Sequence, residues 1–139
     1  MNHGLKIQIK NELSELKMIS KHIDDFVESH AVPIDVGRAI DLAIEEIVSN
    51  IIYYGYTDQR EHTIDIMLSL RNSRVVVEIR DDAPPFNPLQ APIADTTSPI
   101  DERAVGGLGI HLVRQVMDDI NYRYRNNRNI LIMQKAIHS

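Results

Sequence analysis

The sequence predicts an α+β fold: a two-layer sandwich with helices packed on one face of a mixed, largely antiparallel sheet. Two observations lead there. Apolar residues switch between strict alternation and a three-to-four-residue period, in the order strand, helix, helix, strand, strand, helix, strand, strand. The alternating runs after the first come in adjacent pairs joined by turn residues, which is the pattern of antiparallel hairpins. A sheet built that way buries one face under its helices.

Leu5 to Ile9 alternates with Lys6 and Gln8 and reads as a short strand. Leu13, Leu16, Ile19, Ile23 and Phe26 then form the apolar stripe of an amphipathic helix over about residues 11–29. Pro33 ends what precedes it, and Asp35 is expected to cap a second helix. That helix carries the stripe Val36, Ile40, Ile44, Ile47 and Ile51, with Gly55 as its expected terminator. Ile64, Ile66, Leu68 and Leu70 alternate with polar residues, 71–74 is a turn, and Val75, Val77 and Ile79 continue as the second strand of a hairpin. From Ala83 to Val105 periodicity vanishes and five of the six prolines fall there, as in a functional lid. Gly106-Gly107-Leu108-Gly109 opens a helix to about Asp118. Ile120, Tyr122 and Tyr124, a turn at Asn126-Asn127, and Ile130 to Gln134 close the sheet.

At 139 residues with 43% hydrophobic and 25% charged side chains, the chain reads as one globular domain. A formal net charge of −5 argues against nucleic acid as a direct partner. The absence of cysteine excludes disulfides, thiolate metal sites and cysteine nucleophiles. No apolar run approaches the roughly 18 residues of a membrane span, and the start has no apolar signal region, so a cytoplasmic setting without membrane contact is expected. The six histidines are scattered without metal-ligand spacing.

Three clusters carry candidate chemistry. Glu46 and Asn50 are four apart on the second helix and project together beside its apolar stripe. A carboxylate there can take a proton from an incoming hydroxyl, and an Asn oxygen is a hard, neutral ligand suited to Mg²⁺. Two solvated residues on a helix edge are the plainer alternative. Asp81-Asp82-Ala83-Pro84-Pro85-Phe86 directly follows a strand. A strand-end carboxylate can accept from an exocyclic amine such as that of adenine, although Asp and Pro also make ordinary turns. Gly106-Gly107-Leu108-Gly109-Ile110-His111 begins a helix, where glycines admit phosphates to free N–H groups at the positive end of the dipole. It lacks the P-loop pattern and does not closely follow a strand; a hinge is the alternative.

In this order and spacing the three clusters, with the proline-rich loop between the last two, resemble the GHKL ATPase superfamily. That superfamily includes gyrase, histidine kinases and MutL, and its ATP fold is called Bergerat. The strings EEIVSN and GGLGIHLV, with the short length, are similar more specifically to the anti-sigma-factor serine/threonine kinases. The resemblance covers essentially the whole chain. It implies a single ATP-binding kinase domain over 1–139, using ATP and Mg²⁺, with an ATP lid at about 83–105. Glu46 would be the general base, and Asn50 the Mg²⁺ ligand. Asp81 would bind the adenine amine, with Ala83 beside it. Gly107, Leu108 and Gly109 would frame the phosphates, and Arg103 would contact them. The implied partners are an anti-sigma-factor antagonist as phosphoacceptor and a sigma factor, with a homodimer also compatible.

Three positions depart from the family pattern. Ala83 replaces the glycine of its D-x-G turn, Tyr54 stands where His often precedes Gly-Tyr, and the Gly-Thr before the last strand is absent, with Arg128-Asn129 nearby. A nucleotide-dependent binding switch without phosphoryl transfer is the second reading. A detached histidine-kinase catalytic domain is a third, with too few residues ahead of the second helix for a dimerising phosphoacceptor domain.

Overall fold

A computed structural model describes residues 4–90 and 109–137. The elements run β1 (Gly4–Lys10), α1 (Leu16–Ser29) after a 3₁₀ turn (Leu13–Glu15), and α2 (Ile34–Asn50), which continues into a π-helical turn (Ile51–Gly55). Then follow β2 (Thr63–Arg71), β3 (Arg74–Asp81), a 3₁₀ turn (Pro88–Gln90), α3 (Gly109–Val116), β4 (Asp119–Arg125) and β5 (Arg128–Ala136). The five strands and three helices match the periodicities that announced them.

The strand order is β1-β2-β3-β5-β4, and all four pairings are antiparallel. The expected mixed character is present only in the crossover. β3 and β4 run in the same direction, but β5 folds back between them and pairs with both. Both tight hairpins have φ > 0 at their two central residues: Asn72 and Ser73 at 51° and 63°, Asn126 and Asn127 at 53° and 60°. That is the type I′ geometry whose twist matches the flanking strands, and Asn tolerates it well.

Alternate strand residues supply one wall of the core, among them Ile66, Val77, Ile79, Leu131 and Met133; Ile23, Ile40, Ile44, Ile47 and Val113 supply the helical wall. Each such side chain contributes roughly 1.5–3 kcal/mol by leaving water. α1 and α2 touch closely at Gly37, where a Cβ would lie 2.9 Å from Val27 Cγ2. No helix among the described residues is long and apolar enough to cross a membrane.

Some boundaries differ from expectation. α1 begins at Leu16 rather than near Asn11, because Asn11 is drawn aside: its amide donates to the Arg60 carbonyl and its oxygen accepts the His62 N–H. Pro33, not Asp35, occupies the N-cap of α2, and Asp35 adds negative charge to its first turn. α3 ends at Val116, two residues early, because the Asp118 N–H turns away to the Gln134 carbonyl of β5.

Candidate functional site

The polar exceptions in the core gather at one end of the sandwich. α2 is apolar along its inner side until its last turn, where Asn50 is wholly buried. Its amide nitrogen donates to the Pro88 carbonyl at 3.3 Å, while its buried Oδ1 has no hydrogen-bond partner among the described residues. An orphaned amide oxygen costs about 1–3 kcal/mol, so it marks a position kept for something other than stability. An unused oxygen donor of this kind fits the expected Mg²⁺ ligand.

Glu46 lies one turn earlier on α2 and is half-buried. Burial first, and the charge of Glu45 second, push its carboxyl above the usual range. Both effects make it a better proton acceptor near neutral pH.

Asp81 is the last residue of β3 and faces inward, 1% exposed. Its Oδ1 accepts from the Ala83 N–H at 2.9 Å and the Asn129 amide at 2.8 Å. No described residue donates to Oδ2. Burial raises the carboxyl, and the hydrogen bonds from Asn129 and Ala83 oppose the rise.

Asn129, beside the place of the absent Gly-Thr, holds this corner together. It pairs with Asp81 in the β3–β5 register and is 2% exposed. Besides Asp81, its amide reaches the Ala83 and Pro84 carbonyls, each at 3.1 Å. Its oxygen accepts from the Phe86 N–H at 2.9 Å and from the Tyr122 hydroxyl. The signal was available, since Asn129 occupies the inward parity of β5 ahead of Leu131 and Met133.

Ala83, which replaces the family glycine, is buried. A Cβ on Gly55 would meet the Ala83 methyl at 3.6 Å and Phe86 at 3.5 Å. The methyl therefore fills space beside the π-helical turn that ends α2, a type of turn common at functional sites. At the rim, the Tyr56 ring stacks on His62 at 4.3 Å. His62 bridges Asp58 at 2.7 Å and Asp82 at 3.3 Å, and mainly the Asp58 bond raises its pKa.

The expected lid therefore starts from a fixed base. Phe86 and Leu89 pack on the core and Asn129 ties residues 83–86. The remainder of that expected lid, 91–105 with Arg103, and the residues Gly106, Gly107 and Leu108 beyond it lie outside the described residues. Gly109 is the first residue of α3, which packs against α2. Glu46, Asn50, Asp81 and Ala83 are thus brought to one end of the helical layer.

A family model described as a histidine kinase-like ATPase domain matches residues 9–135. The chain is 29% identical over 96 residues to the serine/threonine-protein kinase BtrW of Bordetella bronchiseptica, covering 68% of this chain and 66% of BtrW. Among solved structures, the RsbU and RsbW domains of Rv1364c from Mycobacterium tuberculosis align over 96% of this chain and 32% of theirs, with a TM-score of 0.67 at 10% identity. The Acinetobacter baumannii histidine kinase AdeS aligns over 96% of this chain and 68% of its own, with a TM-score of 0.51 at 12% identity. The chain thus spans just under two thirds of BtrW and about a third of the Rv1364c chain, and the structural likenesses establish the fold. Because the family model runs from β1 through the acidic corner to β5, the chain belongs to the histidine kinase-like ATPase domain family, within the GHKL superfamily expected from its three clusters.

Proposed function

We propose that this protein is an ATP-dependent serine/threonine kinase that phosphorylates a small anti-sigma-factor antagonist and sequesters a sigma factor in the cytoplasm. The observation that carries the reading is the α2 pair: Glu46, with its raised carboxyl, stands one turn before the buried Asn50 oxygen, which has no partner among the described residues. The likeness to a protein named as a serine/threonine kinase supports the acceptor class.

In this reading Asp81 receives the adenine amine on Oδ2 while Oδ1 stays bound to Asn129 and Ala83. Asn50 Oδ1 would hold Mg²⁺, which supplies charge neutralisation at the phosphates when bound. By the resemblance, Gly107, Leu108 and Gly109 would frame the phosphates and Arg103 would contact them. Glu46 takes the proton as the Ser or Thr hydroxyl oxygen bonds to the γ-phosphorus and the bond to ADP breaks.

Radiolabelled ATP incubated with Mg²⁺, this protein and antagonist candidates encoded beside it tests the reading. Label on a Ser or Thr of one antagonist is the expected result. Nucleotide binding without transfer to any partner that binds would replace the kinase with a nucleotide-dependent switch. One contact favours that alternative: the Pro88 carbonyl caps the Asn50 amide, so a ligand that engages Asn50 acts directly on the loop at residues 88–90.

A further inference from the structure

The face of the sheet turned away from the helices has a charge balance opposite to that of the chain. Its strand positions carry eight basic and three acidic side chains, against fifteen and twenty in the full sequence. That face is therefore formally +5 and the rest of the chain −10. Internal pairing leaves much of the excess unspent. Glu78 engages Arg80, Asp65 engages Arg128 at 3.6 Å, and Lys10 reaches Glu61 at 3.5 Å. Lys6, Arg71, Arg74, Arg123 and Arg125 have no acidic partner among the described residues.

The floor between these cations is apolar. Met67, Val76, Ile130 and Ile132 lie half-buried in the middle of the face, where a solvated sheet would ordinarily place polar residues. Two adjoining grooves cross it, of about 900 Å³ and 360 Å³, sharing Glu78, Arg80 and Ile132.

We propose that this open face is a docking surface for an acidic amphipathic helix of a partner protein. The dimensions agree: five strands about 4.8 Å apart span about 20 Å, the length of a helix of about 14 residues. Leucine-sized anchors would cover the aliphatic floor, and flanking carboxylates would meet the five unpaired cations. A second copy of the chain is a poor occupant, since it would bring the same unbalanced cations face to face. Single-stranded nucleic acid is also disfavoured. No aromatic side chain lies on this face to stack bases, because Tyr122 and Tyr124 have the opposite parity on β4. The proposal is independent of the nucleotide reading, whose residues lie on the other side of the sheet.

The probe is a fluorescein-labelled 14-residue helical peptide with Leu on one face and Glu on the other, titrated by fluorescence anisotropy. The expected result is saturable binding that weakens on the order of tenfold between about 0.05 M and 0.5 M NaCl. The double variant Arg74→Glu/Arg123→Glu should weaken it on the order of tenfold or more, with nucleotide affinity unchanged. Amide shifts on wild-type protein should concentrate at Met67, Val76, Ile130 and Ile132. That map and the salt series decide the matter if the double variant does not fold. Equal binding of a Lys-for-Glu peptide, or shifts confined to the helical side, would overturn the proposal. So would an oligonucleotide that displaces the peptide at lower concentration, or a sedimenting dimer that the double variant dissociates.

Discussion

Replacing Asn129 with alanine tests the acidic corner most directly. Five hydrogen bonds are lost at once, and their consequences differ. Asp81 loses a charge-assisted donor, worth about 1.5–3 kcal/mol. The Ala83 carbonyl loses a partner in a buried position, at about 1–3 kcal/mol. Phe86, Pro84 and Tyr122 are half-buried or exposed, so water recovers most of their share. The net cost is about 3–5 kcal/mol. In a domain of this length, with roughly 3 °C of melting temperature per kcal/mol, that is a fall on the order of 10–15 °C. The Asp81 carboxyl should rise further, since the Asn129 bond opposes the effect of burial.

Asn129→Asp keeps the shape but sets a second carboxyl 2.8 Å from Asp81. Two carboxylates so close share a proton, so this variant should regain stability as pH falls. Thermal melts across pH, with calorimetric titration of ATP, provide the measurement. If Asn129→Ala melts within about 2 °C of wild type and binds ATP equally well, Asn129 does not hold the corner.

Glu46→Gln should retain ATP binding while phosphotransfer falls by a factor on the order of 10² to 10⁴, the usual worth of a general base; an unchanged transfer rate removes Glu46 from that role. Asn50→Ala deletes an orphaned oxygen along with one long hydrogen bond, so its melting temperature should move little, within about 3 °C, while Mg²⁺-dependent ATP binding is lost. Binding with the wild-type metal dependence would count against Asn50 as the ligand. Asp81→Asn should abolish adenine recognition yet flatten the pH profile of stability. The folded carboxyl sits above its ordinary 3.8, so the unfolded chain gives up its proton first. Asp81 therefore favours the fold most below 3.8, and that benefit fades as pH rises through the folded value. A variant that keeps the wild-type slope above pH 4 would show that Asp81 is not the source.

The sheet was legible because its inward positions are almost all Ile, Val, Leu and Met, so the period of two stands out in β1, β2, β3 and β5. β4 is the weakest signal, since Tyr122 and Tyr124 face inward without being buried and Arg fills the positions between and beyond them. Asn50 and Asp81 were legible as candidates from their spacing and order among the three clusters, and the structure adds that both are polar residues buried at inward positions. Asn129 is another, and its offset from a familiar motif obscured it. What sequence could not give was side-chain reach. The capture of Asn11 by Arg60 and His62 shortened α1, and the Ala83 methyl turned toward Gly55, through contacts between residues far apart in the chain.

The two faces of the sheet are coupled through strand register. On β3, Glu78 and Arg80 belong to the open groove while Asp81 belongs to the acidic corner. On β5, Ile130 and Ile132 floor the groove while Asn129 pairs with Asp81. A slip of one residue between β3 and β5 would set Arg80 opposite Asn129 and turn Val77 and Ile79 toward water. The loss of two buried aliphatic side chains alone is about 3–6 kcal/mol, comparable to the whole stability of many domains. The apolar alternation that excludes this slip therefore also places Asp81 beside Asn129. A chain that folds in register necessarily brings the acidic corner and the basic groove into being on opposite sides of the same two strands.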